Sequence, residues 1–249
     1  MTRLRALAFL VMAIALPLRV EADVSVFAAA SLKNALEEIA AAWTERTGEK
    51  VTLTFAASST IARQVDQGAP ADIVLLANEA WMDWLEERER LRPETRHGLV
   101  GNRLVLIAAE PVSLTPAPGF PLAEALGDDR LAMALVDAVP VGIYGKAALT
   151  NLGVWQDVAP RIAQTDNARA ALALVATAEA PFGIVYASDA RAETRVTIAG
   201  EFPRESHPPI RYPAALNAES PDQALGFFAF LAGDAARLVF DRHGFETDD

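Results

Sequence analysis

Past its first two dozen residues, the chain alternates short continuous apolar runs with stretches whose apolar residues recur every three or four positions. The continuous runs read as buried strands, and the wider spacing reads as one face of an amphipathic helix. The run at 24–28 predicts a first strand. Leu36, Ile39, Ala40 and Trp43 then predict a helix that Gly48 stops. Residues 51–55 predict a second strand, and Ile61 and Val65 a short helix closed by Gly68. A third strand at 72–76 and a third helix at 80–85 follow. Such a β-α-β-α-β succession implies parallel pairing with right-handed crossovers, and ligands collect beyond the carboxyl ends of such strands.

A strong strand pattern at 103–109 leads into a loop rich in proline, with Pro111, Pro116, Pro118 and Pro121. A second alternating set comes next: a strand at 131–135, a helix from about Gly142, a helix at 168–178, and strands at 183–186 and 196–198. The proline-rich stretch 202–213 reads as a connection. Two last helices carry Leu225, Phe228 and Leu231, then Ala236, Val239 and Phe240. The expected architecture is α/β with two lobes, each a mostly parallel sheet flanked by helices, and a ligand in the cleft between them. Residues 23–104 with 206–249 would form one lobe and 105–205 the other.

The beginning of the chain reads differently. Arg3 and Arg5 precede an almost unbroken apolar run at 6–18, and Val20-Glu21-Ala22 offers a processing site. The run is shorter than the ~20 apolar residues of a spanning helix, and Pro17 interrupts it. We therefore expect a removable export signal over 1–22. There are no cysteines, which excludes disulfides, thiol catalysis, thiolate metal sites and a lipid-modified cysteine anchor. The expected compartment is the periplasm, with the protein free in solution.

The formal net charge is −11. Arg3, Arg5, Arg19 and Glu21 all fall in the expected leader, so the remainder is more acidic still. That argues against nucleic-acid binding, which rests on basic surface. It does not argue against a small anion, because charges beyond a Debye length of ~8 Å are screened.

Two stretches carry the clearest chemistry: Val26-Phe27-Ala28-Ala29-Ala30-Ser31-Leu32 and Phe55-Ala56-Ala57-Ser58-Ser59-Thr60. In each, a buried strand runs into a serine where a helix begins. A hydroxyl and free backbone N–H groups at the positive end of a helix make an uncharged anion seat. Plain N-capping, which contributes about 1 kcal/mol, explains either serine taken singly. Their repetition on consecutive strand–helix units, at one sheet edge, favours a shared ligand. Val139-Pro140-Val141-Gly142 offers N–H groups at Val141 and Gly142. Thr165-Asp166-Asn167-Ala168 opens another helix, with Asp166 or Asn167 as its cap. Tyr186 closes a strand and would supply a neutral hydroxyl.

Other chemistry is poorly supported. His97, His207 and His243 lack metal-ligand spacing, and the tryptophans fit packing positions. No Gly-x-Ser-x-Gly elbow, P-loop or Gly-x-Gly-x-x-Gly turn is present. Three alternatives stay open. One is a binding protein of this fold for another solute, such as sulfate, phosphate or an organic acid, with Arg63 or Arg169 as candidate carboxylate partners, though both look outward-facing. Another is a secreted serine hydrolase using Ser31 or Ser58, and the third is a purely structural partner-binding module.

Taken together, these segments resemble the periplasmic molybdate-binding proteins of ABC importers (the ModA type). The resemblance also rests on Ala62-Arg63-Gln64, Gly68-Ala69-Pro70-Ala71-Asp72, Ala171-Leu172-Ala173-Leu174-Val175, Gly183-Ile184-Val185-Tyr186 with Ser188-Asp189-Ala190, and Gly244-Phe245. It spans nearly all of the chain after the leader. It implies the type II periplasmic-binding-protein fold, no catalysis, no cofactor, and molybdate or tungstate as ligand. It implies delivery to an ABC permease in the inner membrane by a monomer. Position by position, it implies ligation by Ser31 and Ser58 through hydroxyl and N–H, by the Val141 and Ala168 amides, and by the Tyr186 hydroxyl. No side chain would coordinate molybdenum directly. Val141 stands where a smaller residue is usual in the family, which matters little for a backbone ligand.

Overall fold

The computed structural model describes residues 23–247; the expected leader at 1–22 lies outside them. The chain begins as the apolar runs dictate. Strand β1 (Val24–Ala29) passes through a single 3-10 turn, Ala30–Leu32, into helix α1 (Lys33–Thr47). Gly48 ends α1 in the left-handed region at φ 81°, where glycine has no Cβ to clash. Strand β2 (Val51–Ala56), helix α2 (Ser58–Asp66), strand β3 (Ile73–Leu75) and helix α3 (Glu79–Glu86) complete the first series. Strand β4 (His97–Gly101) then leads across to β5 (Leu104–Ala108).

The second series runs α4 (Leu122–Leu126), β6 (Leu131–Ala134), α5 (Pro140–Asn151), α6 (Trp155–Val158), β7 (Ile162–Thr165) and α7 (Ala168–Ala176). It continues through β8 (Phe182–Tyr186), α8 (Ala187–Arg191) and β9 (Thr197–Glu201). Strand β10 (Arg211–Leu216) returns to the first sheet, and α9 (Ala224–Leu231) and α10 (Asp234–Arg242) close the described chain.

Two five-stranded sheets result, ordered β2-β1-β3-β10-β4 and β7-β6-β8-β5-β9. Each has the same logic. Three strands of the series pair in parallel, as β1 does with β2 and β3 and as β6 does with β7 and β8. The fourth strand is the chain's crossing from the other half, and it runs antiparallel to both neighbours: β10 to β3 and β4, β5 to β8 and β9. The sheets are therefore mixed, with half of the pairings in each antiparallel. A strand entering from the other lobe has no crossover helix to reverse it, so it meets its neighbours head to tail.

Three strands escaped the hydrophobic pattern. Strand β4 contains two glycines and a histidine, and β7 is a half-buried edge. Strand β10 begins inside the proline-rich stretch read as a connection and runs three residues past it. Pro213 is accommodated because the register of β10 against β4 shifts between Tyr212 and Pro213; irregularities of this kind are where proline enters a sheet. Helix α7 also stops at Ala176, two residues short of the expected end, with Ala178 at φ 57°. The last two helices pack beside α1, with the Trp43 ring against Phe227 and Phe230 at centroid distances of 5.7 and 5.3 Å.

Candidate functional site

The carboxyl ends of β1 and β2 face those of β6 and β7 across the cleft between the sheets. Each of these strands hands over to a helix at that edge, so helix N-termini converge on it. Ser31 lies in the turn that leads into α1, and Ser58 is the first residue of α2. Val141 follows Pro140 at the start of α5, where a proline lacks nothing by having no N–H. Ala168 is the first residue of α7, behind an Asn167 cap whose Oδ1 accepts the Ala170 N–H at 3.0 Å. First-turn N–H groups have no acceptor within their own helix.

These positions and Tyr186 line one small cavity of about 10 Å³ between the sheets. That is about the room a single water needs. No Lys, Arg, Asp, Glu or His is among its lining residues. All five site residues expected from the sequence thus meet at one place, from both sheets.

The hydroxyls are arranged differently from caps. Ala29 and Ala57 occupy the N-cap positions, and neither makes a side-chain cap. Ser58 Oγ instead accepts the Ala77 N–H at 2.9 Å, and Ser31 Oγ lies 2.9 Å from Tyr212 Oη. Tyr186 is fully buried and its Oη has no hydrogen-bond partner. Burial pushes its phenol well above the ordinary value, and the nearby Tyr212, Tyr144 and Asp189 push the same way. Tyr186 therefore keeps its proton and remains a donor.

Behind the cavity is a charged pair that the sequence did not reveal. Asp189 is completely buried; its Oδ2 accepts the Tyr186 N–H at 3.4 Å, and its Oδ1 lies 2.7 Å from Arg169 Nε. Burial raises the Asp189 carboxyl and the Arg169 charge opposes that rise. Arg169, expected to face outward, thus turns inward. Its Nη2 reaches the Ser31 carbonyl at 3.5 Å, but the guanidinium is taken by Asp189 and does not line the cavity. Arg63 stacks over Trp81 at 5.4 Å, also away from the cavity lining. Trp81 Nε1 donates to Ala138 O at 2.9 Å, a further link between the lobes.

The other readings find little support in this geometry. His97 packs edge-on to Phe228, His207 faces Pro208 O, and His243 pairs with Glu38. None of them lines the cavity with a serine. Among the described residues no cluster of His, Cys, Asp and Glu could hold a metal ion. A larger hollow of about 310 Å³ lies at the opposite end of β3, but Asp72 there already holds the Ser25 N–H and Arg90 pairs with Asp66.

Sequence reasoning missed the roles of Tyr212, Asn102 and Asp189. Tyr212 and Asn102 act through partners distant in the chain, and nothing local to the Ser188-Asp189-Ala190 segment announces the pairing of Asp189 with Arg169.

Residues 24–246 match the family model described as bacterial extracellular solute-binding protein. The chain is 40% identical over 230 residues to the molybdate-binding protein ModA of Escherichia coli, covering 90% of this chain and 89% of that protein. It is 41% identical over 234 residues to ModA of Haemophilus influenzae, covering 91% of each. The fold superposes on the periplasmic molybdate-binding protein of Azotobacter vinelandii with a TM-score of 0.82 at 22% identity, covering 91% of this chain and 100% of that one.

Proposed function

The chain belongs to the bacterial extracellular solute-binding proteins, and from that premise we propose that it captures molybdate, and tungstate with it, for an ABC permease. The ligand is held between the two lobes. Ser31 and Ser58 on one side, with Val141, Ala168 and Tyr186 on the other, donate hydrogen bonds to its oxygens. The observation that carries this reading is that these groups line one cavity with no charged side chain in it.

Neutral donors suffice energetically. The two serines give a hydroxyl and an N–H each, and the other three residues give one donor each. A hydrogen bond to a charged group contributes about 1.5–3 kcal/mol, so the set supplies roughly 10–20 kcal/mol before the costs of association and closure. Sub-micromolar affinity requires only a little more than ~8 kcal/mol. A cation in the cavity is unnecessary.

Selectivity follows from the same donors. Sulfate has the charge of molybdate but is smaller, so it leaves some buried donors unmet, which is costly. Phosphate carries a proton near neutral pH, and the cavity has no carboxylate to accept it. Molybdate and tungstate are nearly equal in size and should bind alike. On this reading the protein is a periplasmic monomer with no catalytic activity, exported by residues 1–22.

Titration calorimetry of the purified chain lacking 1–22 tests the proposal. Molybdate and tungstate should bind below micromolar Kd, with sulfate and phosphate at least a hundredfold weaker. Absence of heat and of thermal stabilisation with both metal oxyanions would refute it.

A further inference from the structure

A hydroxyl has one hydrogen to give and two lone pairs. A serine can donate to an anion only if its hydrogen is not spent elsewhere. Ser58 meets this condition simply, because its Oγ accepts the Ala77 backbone N–H. Ser31 is ambiguous in isolation, since its partner is another hydroxyl, Tyr212 Oη, and either could be the donor.

The surroundings of Tyr212 decide the direction. Asn102 Oδ1 accepts the Arg103 N–H at 2.9 Å, which fixes how the Asn102 amide is turned. Its Nδ2, which can only donate, then lies 2.9 Å from Ser188 Oγ and 3.3 Å from Tyr212 Oη. Tyr212 Oη thus receives a hydrogen from Asn102, and Ser31 Oγ, 2.9 Å away, is placed to accept its own. The reverse direction would turn the Tyr212 hydrogen toward the Asn102 amide, which has no lone pair for it, or toward the neighbouring Tyr186 hydroxyl. Tyr212 is fully buried, and its ring is held edge-on between Tyr186 and Phe245 at 5.8 and 5.5 Å. Burial also raises its phenol well above the ordinary value, so the hydrogen stays on it.

We propose that Tyr212, oriented by Asn102, is a positioning residue that directs the Ser31 hydroxyl hydrogen into the anion cavity. The sequence of donors runs Asn102 to Tyr212 to Ser31 to ligand. It starts where the chain first crosses between sheets, passes through the strand of the return crossing, and is anchored on α8 of the second lobe by Ser188. The inference rests on the reading that Ser31 ligates the oxyanion. Tyr212 does for Ser31 what the Ala77 N–H does for Ser58: it occupies a lone pair so that the hydrogen faces the ligand.

A double-mutant cycle tests it. Molybdate affinity is measured by calorimetry for the wild type, Ser31→Ala and Ser58→Ala, each with and without Tyr212→Phe. Tyr212→Phe should weaken binding about tenfold in the wild type and in Ser58→Ala. In Ser31→Ala it should change affinity by less than about twofold, because no hydroxyl remains to be directed. An equal loss in all three backgrounds, or no loss in the wild type, would overturn the proposal. Melting curves check that the variants fold. Should Tyr212→Phe not fold, Asn102→Asp replaces it: an acceptor there draws the Tyr212 hydrogen away from Ser31. Its loss of affinity should again vanish in Ser31→Ala, and an undiminished loss would be adverse. Wild-type protein that binds neither molybdate nor tungstate would reject the parent reading itself, an outcome distinct from a cycle without coupling.

Discussion

Ser31 and Ser58 look alike in the sequence, yet they answer to different partners. Ser31→Ala should weaken molybdate binding more than tenfold by calorimetry and cost about 1–3 kcal/mol of stability, because the buried Tyr212 O–H loses its acceptor. Ser58→Ala should weaken binding similarly and also cost about 1–3 kcal/mol, because the Ala77 N–H is left buried without one. Tyr186→Phe removes one donor and keeps the ring, so its loss of affinity should be smaller than that of Ser31→Ala. The raised Tyr186 phenol also sets a pH expectation. An ordinary tyrosine is half ionised near pH 10, whereas Tyr186 stays protonated there. Affinity should therefore be flat from pH 7 to about 10; a fall centred at the ordinary tyrosine value would contradict the assignment. The strand–helix junctions beside the five candidate ligands were legible from hydrophobic spacing, while the choice of Ala168 within its junction came from the family resemblance. Tyr212 and Asn102 were not, because the bonds that give them meaning span 181 and 110 positions.

At the level of elements, the site depends on helix starts held at fixed distances from the sheets. Helix α5 shows how tight that tolerance is. A Cβ on Gly142 would fall 2.4 Å from Ala134 O and 2.5 Å from Leu135 O, both rigid backbone at the end of β6. Gly142→Ala should therefore push the first turn of α5 off the sheet, moving the Val141 N–H. We expect a lower melting temperature together with at least tenfold weaker molybdate binding, read by thermal denaturation and calorimetry on one sample. Unchanged affinity would mean that the α5 terminus does not contact the ligand. Most helices and the parallel strands β1, β2, β3, β6 and β8 were readable from periodicity, though the short helices α4, α6 and α8 were not. Strands β4, β7 and β10 were not, because an edge or a crossing strand is defined by the neighbour it pairs with. Pro213 shows the same point: a local rule argues against a strand, and a register shift provided by β4 permits it.

For the whole molecule, the two sheets repeat one plan, and each borrows its antiparallel strand from the chain passing to or from the other. This ties the lobes together by two adjacent crossings and leaves the cleft free to close. Trp81 on α3 bridges that cleft through its indole N–H to Ala138 O, so its surroundings change if the lobes part. Adding molybdate to ligand-free protein should shift tryptophan fluorescence, and Trp81→Phe should abolish most of the shift. An identical response in that variant would locate the change elsewhere.

The amino-acid order alone determined the alternation of strands and helices, the acidity, the lack of thiol chemistry and the helix tips where an anion could sit. Each of these is set within a few neighbouring residues. Tertiary structure decided which tips meet, that half of the strand pairings run antiparallel, that Arg169 is neutralised by Asp189, and which way the Ser31 hydrogen points. Those outcomes depend on groups far apart in the chain that become neighbours only when two sheets close on each other, and local pattern carries no information about such encounters.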